Sequence, residues 1–170
     1  MVASQRRFRT LHREPGILVG ELGPLCVVIW RGEVTRERFA HQRAGLAHVV
    51  ARNPGKAGFM CVVEPQVKPP SEELRARSAE MMREHGASLP FVAGVIEARG
   101  FMGSLTRSVM SAMQLLSRRK PTSQAFFASI AEASAWLAER LDMDAQELEE
   151  LVAQKRDDQT GTGLFRARGA

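Results

Sequence analysis

The chain has 170 residues and 18.8 kDa, with 44% hydrophobic and 25% charged residues, the size and balance of one globular domain rather than a disordered polymer. It contains no run of apolar residues long enough for a membrane-spanning helix. Its net charge of +5 is unevenly spread: residues 1–56 hold ten Lys/Arg against four Asp/Glu, and residues 132–158 hold three against nine.

Residues 1–14 form a basic N-terminal segment with Arg6, Arg7, Arg9 and Arg13, and no apolar stretch of signal-peptide length follows it. A cytoplasmic location is the expectation. The first ordered signal is a pair of β-rich runs, Gly16–Leu22 and Leu25–Arg31, joined by Gly23-Pro24 and read as an antiparallel hairpin. The second run is apolar at almost every position, which predicts a strand buried on both faces. A helix follows from Thr35 to about Arg52, with Phe39, Leu46, Val49 and Val50 on one side, and Asn53-Pro54-Gly55 stops it.

Gly58–Glu64 is the third strand. After a proline-bounded loop, Ser71 with Glu72 and Glu73 opens a helix that runs to His85 and ends at Gly86. Leu89–Ile96 is the fourth strand, Met102 to Arg118 a third helix, and Gln124–Phe127 a short fifth strand. Ser129 with Glu132 makes a capping box for a helix ending near Leu141, and Asp144 with Glu147 repeats the signal for a short last helix. Beyond Asp157 the periodicity ends, so residues 157–170 read as a flexible tail and residues 15–156 as the single domain. The order β-β-α-β-α-β-α-β-α predicts an α/β fold: a mixed, mostly parallel sheet of about five strands covered by helices, plus a short C-terminal helix.

That order, with no helix between the first two strands, resembles the STAS domain of the anti-anti-sigma factors and their SpoIIAA-like relatives. The turn Arg31-Gly32-Glu33-Val34-Thr35 looks like the link to the first helix there, and Ala131–Ala138 (AEASAWLA) looks like the closing helix of SpoIIAA-like sequences. The resemblance covers roughly residues 16–141. It implies a non-enzymatic bacterial regulatory module that binds proteins, lipids or nucleotides, with a phosphoacceptor in signalling members at the position of Ser71. The loop Glu64–Pro70 lacks the Asp-Ser-Ser-Gly-like motif of those members, and Glu72 and Glu73 would repel a phosphate, so Ser71 reads as a helix cap.

No nucleophile elbow, phosphate loop or dinucleotide fingerprint is present, so neither an enzyme nor a cofactor is expected. His41 and His48 are seven residues apart, too far for a helical metal pair; His85 sits at a helix end and His12 in the basic segment, so no metal is expected. Cys26 and Cys61 lie inside apolar runs and read as buried thiols. Arg99-Gly100-Phe101-Met102-Gly103 reads as a tight turn whose amides could hold an anion.

The segment 101–116 stands out. Leu105, Val109, Ala112 and Leu116 make a core stripe, and Met102, Met110, Met113 and Leu115 spread beyond what one helix face can bury against a sheet. Together with Arg99 and Phe101 they mark an interaction surface for a protein partner or a second copy, or alternatively for a lipid or other hydrophobic ligand. The N-terminal arginines offer a weaker electrostatic surface for nucleic acid or acidic membrane, and Phe8 as the sole aromatic there disfavours single-strand recognition.

Overall fold

The computed structural model describes residues 7–97 and 122–161, with side chains through Asp158. The strands are β1 (Arg9–Glu14), β2 (Ile17–Leu22), β3 (Leu25–Trp30), β4 (Gly58–Val63), β5 (Phe91–Ile96) and β6 (Ser123–Phe127). The helices are α1 (Arg36–Arg52), α2 (Glu72–His85), α3 (Ile130–Leu141) and α4 (Ala145–Gly161), with a 3₁₀ turn at Gly86–Ser88. The six strands lie side by side in chain order, β1–β2–β3 antiparallel and β3 to β6 parallel. The α/β class and the mostly parallel sheet are as expected.

Strand periodicity divides the core in two. On one face Ile17, Val19, Cys26, Val28, Phe59 and Val92 meet Phe39, Leu46 and Val49 of α1 and Leu74 and Met81 of α2. On the other face Leu18, Val27, Ile29, Met60 and Val95 meet Ile130, Ala133 and Leu137 of α3 and Leu148 and Val152 of α4. Every residue of β3 is buried, because both neighbours and both helical layers cover it. Burying each large aliphatic side chain contributes about 1.5–3 kcal/mol, so this central strand anchors both halves.

The caps expected from the sequence form. Thr35, Ser71, Ser129 and Asp144 accept from the backbone N–H groups of Arg38, Leu74, Glu132 and Glu147 at 3.3, 3.3, 3.2 and 2.7 Å. Gly86 ends α2 at a φ of 46°, a conformation glycine adopts without penalty.

Two boundaries are corrected. Residues 9–14 are not part of a separate basic segment; they form β1, a sixth strand, joined to β2 by a Pro15-Gly16 turn. Its charges hid it: an edge strand has one bonded side, so polar side chains on it are tolerated and guard against aggregation. The last helix likewise continues past Asp157 to Gly161 rather than yielding to a tail there. It lacks apolar periodicity at this end and is fastened by charge: Lys155 pairs with Asp158 at 3.6 Å, and Arg13 of β1 donates to the Asp158 carbonyl at 3.0 Å.

Candidate functional site

In parallel α/β sheets ligands and catalytic groups gather at the carboxyl ends of the strands. Here β3, β4 and β5 end in register, Trp30 beside Val63 beside Ile96, so the next residues, Arg31, Glu64 and Glu97, stand in a row at that edge. Arg31 grips Glu64 with two bonds, Nε to Oε2 at 2.9 Å and Nη2 to Oε1 at 2.5 Å. Gln66 donates to Glu64 Oε2 at 2.6 Å and to the Arg31 carbonyl at 3.2 Å. Arg156 of α4 pairs with Glu97, and its own carbonyl accepts from Arg31 Nη2 at 3.0 Å.

The electrostatics follow from this geometry. The side chains of Arg31 and Glu64 are only 19% and 8% exposed. Burial opposes ionisation of Glu64, but the bonds from Arg31 and Gln66 and the charges of Arg31 and Arg156 outweigh it and hold the carboxyl below its usual range. The same ion pair raises Arg31 above the ordinary arginine value, against a smaller effect of burial. A general acid at neutral pH needs a raised carboxyl, the opposite of what Glu64 shows. The row therefore acts as a clamp of matched charges that ties α4 across the sheet edge.

A second polar strip lies between β1 and α1. Arg9 pairs with Glu21 at 2.7 Å, and His48 reaches Glu21 at 3.0 Å and lies 2.8 Å from Arg9 Nη2, which donates toward its ring nitrogen. About two helical turns away His41 stacks on His12, ring centroids 3.5 Å apart, and His12 Nε2 lies 3.4 Å from Glu14 Oε1. Arg38 is 3.7 Å from Glu14 and donates to the Glu33 carbonyl at 2.9 Å. Arg38, His41, Gly45 and His48 share one face of α1 because they fall at steps of three and four. Gly45 brings that face close, since a Cβ there would lie 2.3 Å from Val19 Cγ1.

The residues singled out in the sequence have mixed fates. Ser71 caps α2. Burial pushes both thiols up, that of Cys61 to about 12 and that of Cys26 further, so neither is poised as a nucleophile. Arg9 and Arg13 are engaged in the β1 contacts above, and Arg7 joins Arg52, Glu21 and Asn53 around a shallow open depression. Arg99, Phe101, Met102, Met110, Met113 and Leu115, with the Arg99–Gly103 turn and Arg6, lie outside the described residues.

Sequence reasoning missed the clamp and the pairing of His12 with His41. A charged residue directly after each of three apolar runs was the available sign of the first. Alternation of His12 and Glu14 was a partial sign of the second, but its partner lies on another element. No helix among the described residues is long and apolar enough to cross a membrane. Comparison of the chain with protein-family models, curated proteins and solved structures found no match.

Proposed function

We propose that this chain is a non-catalytic, STAS-like regulatory module that works by binding a protein partner or a second copy of itself. The observation that carries the reading is the clamp: the edge where such a sheet would place reacting groups has its Arg31–Glu64 and Arg156–Glu97 charges matched within the chain. Ser71 is engaged in capping α2, and both thiols are raised by burial, which also favours binding over chemistry.

The binding surface is assigned to the methionine-rich stretch that the chain enters after Glu97 and leaves before β6, with Met110 and Met113 at its centre. Flexible, polarisable thioethers suit a surface that closes on another molecule. The test is sedimentation of wild type and of M110E/M113E over a concentration series, alongside affinity capture from the source cells. Association that disappears in the variant, with an unchanged far-ultraviolet circular dichroism spectrum, supports the reading. Association of equal strength in both proteins, or none in either, overturns it.

A further inference from the structure

We propose that His12, Glu14 and His41 form a binding site for one divalent transition ion of the zinc class, which fastens the edge strand β1 to α1. Each residue offers one ligand atom, and these atoms lie within 4.8 Å of one another; among the described residues no other three ligating groups come together in this way.

The backbone is shaped to bring them there. In β1 the pairing with β2 slips between Thr10 and His12, leaving Leu11 as an extra residue. Before the bulge, Arg9 points toward α1, where it meets His48, and Thr10 pairs across from Gly20 on the opposite face. Uninterrupted alternation would send His12 to that opposite face. The bulge reverses the phase, so His12 and Glu14 pair with Val19 and Ile17, whose side chains pack under α1, and both turn toward the helix. Arg13 then faces the α4 side and reaches Asp158. Re-aiming a side chain is a common role of bulges beside functional sites.

The spacing fits a metal better than a hydrogen bond. At 3.4 Å, His12 Nε2 and Glu14 Oε1 are beyond the ~2.7–2.9 Å of a strong charge-assisted bond. Two donors at tetrahedral angles, each about 2.0–2.1 Å from zinc, stand about 3.3 Å apart. The two imidazole planes are nearly parallel, at 7°, so His41 must turn out of the stack to aim a nitrogen at an ion held by His12 and Glu14. His41 is exposed, and rotation to another staggered side-chain well is open to it.

Arg38 sits by Glu14 Oε2, 3.7 Å away, and is itself held by the Glu33 carbonyl, which orients the carboxylate and leaves Oε1 toward His12. Two imidazoles and one carboxylate suit zinc, nickel or copper over calcium or magnesium, and three protein ligands leave a fourth position for water.

The test uses the untagged full chain, stripped with chelator and titrated with zinc chloride by calorimetry. One equivalent should bind in wild type at micromolar or lower zinc, and H41A should lose about tenfold or more in affinity. H48A, whose ring meets Glu21 instead, should bind as wild type does. Cobalt(II) should give the intense visible absorption of a four-coordinate ion in wild type and not in H41A. His41 is on the exposed surface of α1, so H41A retains its fold even if H12A does not. Absence of a one-equivalent isotherm, or binding that H41A leaves unchanged, marks an adventitious ion and overturns the proposal.

Discussion

Replacing Glu64 with Ala should destabilise the protein far more than loss of a surface charge. Glu64 accepts two bonds from Arg31 and one from Gln66, and Arg31 is only 19% exposed. Removing one partner of a fully buried pair costs about 3–5 kcal/mol because the other charge is left without compensation. Arg31 retains partial solvent access and its bond to the Arg156 carbonyl, which lowers the expected loss to about 2–3 kcal/mol. The double variant R31M/E64L should recover most of that loss, since it removes both charges and fills the space with apolar atoms. Urea unfolding followed by circular dichroism compares wild type, E64A and the double variant. An E64A loss below about 0.5 kcal/mol, the range of exposed pairs, would refute the clamp.

Stability should also depend on pH through Glu64. Its folded carboxyl lies below the ordinary range, so the contribution is complete above the unfolded value of about 4.3 and is lost as pH falls through the lower folded one. The urea midpoint of wild type should therefore drop more on acidification than that of E64Q. Ser71→Ala should cost about 1 kcal/mol of stability and Ser71→Asp almost nothing, because aspartate also caps; equal losses in both would remove the capping role. Trp30 donates to Gln42 at 2.8 Å in the core, so Trp30→Phe should cost about 1–3 kcal/mol by stranding the amide, read as a lower unfolding midpoint. Cys26 should resist a thiol reagent in the folded protein and react in urea; rapid native labelling of it would contradict its burial.

Much of this architecture was legible because local chemistry and tertiary structure agree. Thr35, Ser71, Ser129 and Asp144 are caps in sequence and in space, and the unbroken apolar run of β3 is buried on both faces. β1 was illegible for two reasons. Arg9, His12 and Arg13 suppress the apolar alternation, and the bulge at Leu11 shifts its phase within six residues. The last turns of α4 are held by ion pairs that have no period to detect. The clamp and the histidine pair depend on register between strands and on the approach of α1 at Gly45, properties of the assembled sheet that no single segment contains.

Carboxyl carbon resonances of the glutamates, followed through an acid titration by nuclear magnetic resonance, test the binding-only reading at its foundation. A Glu64 midpoint below that of an exposed glutamate is the predicted result. A midpoint shifted up toward neutrality would mean a carboxyl poised to exchange protons with a substrate, and would contradict the reading.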